Sequence, residues 1–240
     1  MNRSAFLQRW AVGLGGLAVV LAGLGDAAAA PADGQGIVVY SVEAGSPAAP
    51  SPLLRRVQAG GWDLAINPVS ADAGRERDDA NALIARVQGL KAQGYRRVVL
   101  AGEGGGGWVS LLANSSFQSP EHGSGIHAVI ALDPHAISAA EADRRLQQYT
   151  FINVLKTQDP TRLALFVYEA DPDEAETLGA ALPLIVAVRT PVHHVAVEPG
   201  SAGTADGPRS GAFAERYGPC VLALLAPAVS APPTACTTQP

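Results

Sequence analysis

Cysteine is almost absent from this 240-residue chain, which carries only Cys220 and Cys236. Two thiols without further Cys or His at close spacing do not make a zinc site. Lysine is as scarce, with Lys91 and Lys156 alone, and no cluster of Lys and Arg occurs anywhere. With a formal net charge of −5, the chain lacks the concentrated positive charge that phosphate backbones require, which excludes nucleic acid as a partner. The abundance of Ala, Gly and Arg beside so little Lys reads as genomic bias and carries no function. A long apolar run is also missing. The longest, Trp10–Leu24, falls short of the roughly 20 residues of a spanning helix.

That run has another reading. Arg3 and Arg9 precede it, and Ala27-Ala28-Ala29 follows it, the order of a basic n-region, an apolar h-region and a small-residue cleavage site. Residues 1–29 are therefore expected to be a signal peptide directing export to the periplasm or the medium, the alternative being a retained anchor. Cleavage near Ala29 leaves about 210 residues, enough for one well-cored domain with no stable membrane span. Residues 30–35 read as a linker, 36–225 as the domain and 226–240 as a Pro-rich tail. In an exported chain two cysteines suggest a Cys220–Cys236 disulfide worth about 3 kcal/mol of loop entropy, pinning that tail. Two free thiols are the alternative.

What is present is organised around Arg96–Leu112. The β-branched run Val98-Val99-Leu100-Ala101 stops at Gly102-Glu103-Gly104-Gly105-Gly106-Gly107, and a helical pattern with Trp108, Leu111 and Leu112 begins at once. Strand, tight turn and buried helix make the geometry of a nucleophile elbow, Gly-x-Ser-x-Gly, but the middle position is Gly104, which has no side chain to react. Around it, strands are predicted at Ile37–Tyr40, Trp62–Asn67, Ile126–Leu132, Leu163–Tyr168 and His194–Val197. Helices are predicted at Leu53–Ala59, Asp78–Leu90, Ile137–Leu155, Glu174–Ala181 and Phe213–Leu225. Leu184–Val188 fits a strand or a continued helix equally well, and Asn114–Gly125 reads as a loop. This alternation specifies a mainly parallel α/β sheet flanked by helices on both faces, in a single compact domain. Ligands of such sheets bind beyond the carboxyl ends of the strands, here the loops after Tyr40, Asn67, Ala101, Leu132, Tyr168 and Val197.

The pattern resembles the bacterial exported α/β-hydrolases over most of the mature chain. Gly94-Tyr95-Arg96-Arg97-Val98-Val99-Leu100-Ala101-Gly102 with Gly106-Gly107-Trp108 is similar to that family's strand and elbow. Ala128–Leu132 with Pro134-His135 is similar to the following strand, and Phe213–Cys220 to the closing helix. The resemblance implies a Ser-Asp-His triad in that order. It places the nucleophile at Gly104, the oxyanion-hole backbone donor at Gly105, and the acid at Asp171 with Asp173 as alternative. The base falls in Glu198–Phe213, near Ala205, where the chain has no histidine. Serine and histidine are thus both missing, and a depleted triad leaves only the residual catalysis of the oxyanion hole and binding.

Substitute chemistry has few candidates. Ser110 lies inside the predicted helix, pointing away from the strand ends. Ser115 and Ser116 suit turn or capping roles, and Ser201 and Ser210 have no histidine to activate them. His122 falls in the Asn114–Gly125 loop, and His127, His193 and His194 suit surface or strand-edge positions. His135 can reach the cleft mouth beside Asp133 as a base or binding residue. A metal site from Asp133, His135 and Asp171 lacks any spacing signature. Gly102-x-Gly104-x-x-Gly107 also fits the dinucleotide fingerprint, but in the third strand unit and without a following acidic residue. Close strand–helix packing accounts for the same glycines, and no cofactor is otherwise indicated. Glu103 is either a solvated side chain at the cleft mouth or an acceptor for a cationic or hydroxylated ligand. The function expected is a pseudo-hydrolase that binds a small molecule or a protein. An active serine hydrolase using other residues is the alternative, and a nucleotide-binding protein the third reading.

Overall fold

The structure is a computed structural model that describes residues 36–46, 49–72, 74–117, 125–135, 150–151, 153–158, 163–168, 193–197 and 208–226. Six strands form one all-parallel sheet in the order β2-β1-β3-β4-β5-β6. They are β1 (Gly36–Glu43), β2 (Trp62–Val69), β3 (Val98–Glu103), β4 (Ala128–Leu132), β5 (Leu163–Tyr168) and β6 (His193–Val197). The helices are α1 (Pro52–Ala59), α2 (Glu76–Ala92), α3 (Gly105–Phe117) and α4 (Gly211–Leu225), with further helical residues at 150–151 and 153–157. None of the described helices is long and apolar enough to cross a membrane.

Period-two alternation divides the sheet between two cores, as strands covered on both faces require. Ile37, Val39, Val98, Leu100, Val129, Ala131, Leu163 and Leu165 face α2, α3 and the helical residues Phe151, Val154 and Leu155. Val38, Tyr40, Val99, Ala101, Ile130, Leu132, Ala164 and Phe166 face α1 and α4. Phe166, Phe213 and Tyr217 close the second core with ring centroids 4.7–5.4 Å apart.

Helix boundaries follow local chemistry. Ser51 Oγ accepts from Leu54 N at 3.3 Å with Pro52 in the first turn, and Ser210 Oγ accepts from Phe213 N at 3.0 Å. Both are ordinary N-caps, so Ser210 has a structural role. Glu76, Asp78 and Asp79 open α2 and Lys91 closes it, matching the helix dipole. Pro219 lies inside α4 and removes the partner of the Glu215 carbonyl. Arg56 of α1 reaches that carbonyl at 3.5 Å and Ala214 O at 2.8 Å, tying the two helices together.

Several expected boundaries move. The segment read as a loop from Asn114 is still helix to Phe117. The polar residues there do not end it because their side chains have partners. Asn114 Nδ2 donates to Gln158 Oε1 at 2.6 Å, Ser115 Oγ bonds back to Leu111 O at 3.0 Å, and Gln158 Nε2 donates to Ser115 Oγ at 2.9 Å. Ile126 and His127 precede β4. His127 Nε2 lies 3.0 Å from Leu225 O and its ring 5.7 Å from that of Trp62. The segments predicted at Glu174–Ala181 and Leu184–Val188, and most of Ile137–Leu155, lie outside the described residues.

Candidate functional site at the elbow

β3 enters α3 through Gly104, at φ 57°, the left-handed region that glycine adopts without steric cost. Gly104 N donates to Leu132 O at 2.9 Å, and Trp108 N donates to Gly104 O at 3.0 Å as α3 begins. The other glycines serve packing. A Cβ on Gly102 would overlap the Gly106 backbone, and one on Gly106 would overlap Ser41 O. Strand β3, strand β1 and the start of α3 therefore meet backbone to backbone. Ser110 is fully buried beneath this contact, its Oγ donating to Gly106 O at 2.9 Å, and faces away from the strand ends.

Gly104 differs from these. A Cβ there would lie 3.2 Å from Glu43 Oε1, 3.2 Å from His135 Cε1 and 3.6 Å from His135 Nε2. The position where the elbow's side chain would begin is thus ringed by polar groups of two other strand ends. Glu43 closes β1, and its Oε1 accepts the Gly105 N–H at 2.9 Å. An acidic side chain at a helix N-terminus is electrostatically favourable, but here it occupies the hydrogen that would stabilise an oxyanion. His135 follows β4. Asp133, at φ 46°, turns the chain so that His135 Nδ1 lies 2.9 Å from Asp133 O. A carbonyl only accepts, so Nδ1 carries hydrogen, and the Cε1–Nε2 edge of the ring lies beside Gly104.

Glu103 lies on the other side of the turn. Its Oε2 accepts from Tyr40 Oη at 3.1 Å and from Arg209 Nε at 2.8 Å. The Arg209 and Glu103 side chains are 36% and 25% exposed, so the pair sits at the rim and Glu103 is more than a solvated carboxylate. Burial, reinforced by the Glu103 charge, pushes the Tyr40 phenol well above its ordinary range, which keeps it protonated as a donor. Arg209 belongs to Glu198–Phe213, the segment expected to carry the base, and directly precedes the Ser210 cap of α4.

The structure therefore brings together Glu103, Gly104, Gly105 and His135. Asp171, Asp173 and Ala205 lie outside the described residues, as do Ser201, His122 and Cys236. Cys220 is buried in α4. The sequence reading missed Glu43, Tyr40 and Arg209. Glu43 ends β1, in the segment after Tyr40 that was expected to carry ligand-binding groups, but a single Glu has no motif. The dinucleotide reading fares poorly here, since the Glu43 carboxylate sits where a pyrophosphate would meet the N-terminus of α3.

No protein-family model and no curated protein matches the chain. Among solved structures, a candidate thioesterase from a Silicibacter species is similar at 16% identity, covering 70% of this chain and 69% of its own, with a TM-score of 0.41. Brefeldin A esterase, described as a bacterial homologue of human hormone-sensitive lipase, matches at 17% identity over 72% of this chain and 64% of the esterase, with a TM-score of 0.40. A periplasmic ribose ABC transporter protein from Conexibacter woesei matches at 17% identity over 69% of this chain and 54% of its own, with a TM-score of 0.24. The architecture is α/β-hydrolase-like on its own geometry, a parallel two-sided sheet whose third strand enters a buried helix through a positive-φ elbow.

Proposed function

We propose that this chain is an exported α/β-hydrolase-like protein that binds a small molecule at the elbow without cleaving it. The observation that carries this reading is the 2.9 Å bond from Gly105 N–H to Glu43 Oε1, beside a nucleophile position without a side chain. Losing one oxyanion donor costs about 2.7–4 kcal/mol of transition-state stabilisation. A carboxylate about 4 Å from a developing oxyanion adds repulsion of about 4 kcal/mol at an effective dielectric of about 20. The site thus opposes acyl transfer twice, by absence and by charge. The basic, apolar and small-residue order of residues 1–29 supports export, and the Cys220–Cys236 pair then supports a disulfide that pins the tail.

A second reading, general-base hydrolysis, draws on His135, whose Nε2 would lie 3.6 Å from a Cβ at Gly104. A single-turnover assay of the full chain with p-nitrophenyl acetate separates the two, run beside His135→Ala, which removes that base. Release at the buffer rate is expected from both proteins. Release well above buffer, abolished by His135→Ala, would show a working hydrolase.

A further inference from the structure

β2 is the outermost described strand on its side of the sheet, and its backbone alternates between β1 and the outside. Val69 O accepts from Ala44 N at 2.8 Å, so this residue bonds towards β1. Alternation along the strand then turns Asp63, Ala65 and Asn67 towards β1 as well. It turns the N–H and C=O of Leu64 and Ile66 outward, together with the backbone of Pro68. Among the described residues no hydrogen bond engages the N–H of Leu64 or Ile66. An edge of this kind is a template for another strand. Its side chains favour pairing too. Leu64 and Ile66 lean half-buried on one core and Ala65 on the other, which leaves apolar surface on both faces of the edge.

We infer that Arg86 and Pro68 keep this edge from pairing with the β2 edge of a second copy of the chain. Pro68 is exposed and its nitrogen, which has no hydrogen, lies in the outward row. It therefore costs the ladder to β1 nothing and denies an incoming strand one donor. Arg86 reaches over from α2, its Nη1 donating to Ile66 O at 2.7 Å and to Asn67 Oδ1 at 3.2 Å. The contact with the Asn67 side chain alone would tie α2 to β2. The bond to Ile66 O does something else, because it carries a guanidinium to the outward row and occupies an acceptor there. Two copies meeting antiparallel with Leu64 against Leu64 would set Ile66 opposite Trp62, and each Ile66 O would be needed for the other copy's Trp62 N–H. Arg86 already holds that oxygen, and the pairing would end at Pro68.

Sedimentation velocity of the full chain tests this by comparing the parent with Arg86→Met/Pro68→Thr. Methionine keeps an apolar stem and removes the donors, and threonine restores an outward N–H on a residue suited to strands. The parent is expected to sediment as a monomer at every concentration, and the double variant to double its mass as concentration rises. Adding Leu64→Lys sets like charges opposite each other at the centre of that pairing and should return the double variant to monomer. Circular dichroism reports whether each variant is folded. Should the double variant be unfolded, Pro68→Thr alone decides, with a dimer at the highest concentration expected and a monomer overturning the inference. A parent that already self-associates would overturn it too. So would a folded double variant that stays monomeric, or one whose association survives Leu64→Lys.

Discussion

The base and the apex of the elbow are both built of glycine, for different physical reasons. At the base, Gly102 and Gly106 stand where any Cβ would overlap backbone of a neighbouring element, and no side-chain adjustment can relieve that. At the apex, Gly104 needs its positive φ, but a Cβ there meets only the ends of the Glu43 and His135 side chains at 3.2 Å. Packing against backbone dictates the base, whereas at the apex only two side-chain ends would have to give. The missing nucleophile is therefore not a demand of the fold. Around it stand Glu43, which accepts from Gly105 N–H, and Arg209, which donates to Glu103.

The largest effect should come from the base. Gly106→Ala forces α3 off β1 and is expected to cost about 3 kcal/mol or more, the upper range for overpacking, read from the urea midpoint. A stable, native-like Gly106→Ala would break the comparison outright. Next is Tyr40, beneath the apex. Its folded pKa lies above the ordinary value of 10.0, so the folded state keeps a proton that the unfolded chain gives up. The stability this contributes is whole below pH 10 and falls as pH rises beyond it, by at most about 1.4 kcal/mol per pH unit. Denaturation at pH 9 and pH 11 should show a smaller alkaline loss in Tyr40→Phe than in the parent chain.

Gly104→Ala should be milder than Gly106→Ala, about 1–2 kcal/mol for a left-handed alanine. Equal losses at the two positions would mean that the apex is packing-limited too. Smallest is Arg209→Ala. A rim ion pair this exposed is worth about 1 kcal/mol or less and is screened by salt. Thermal midpoints of parent and variant should therefore converge as sodium chloride is raised.

The elbow was readable because all its parts are neighbours in sequence. An apolar β-branched run, a glycine cluster and an apolar helix announce a strand, a turn and a buried helix without reference to anything distant. The parallel, two-sided sheet and the helix from Leu53 to Ala59 were legible on the same local grounds. The site's chemistry was not. Glu43 meets Gly105 from 62 residues away and Arg209 meets Glu103 from 106 away, and no spacing rule connects single charged residues at such distances. The extension of α3 to Phe117 was hidden for a similar reason, because it depends on Gln158, which returns from beyond β4 to satisfy Asn114 and Ser115.

The vacated elbow should do no serine chemistry. Intact-protein mass spectrometry of the full chain after exposure to a fluorophosphonate probe decides this. The unmodified mass is expected after prolonged incubation, in a sample shown to be folded by circular dichroism. A single stoichiometric adduct mapped to one serine would contradict it.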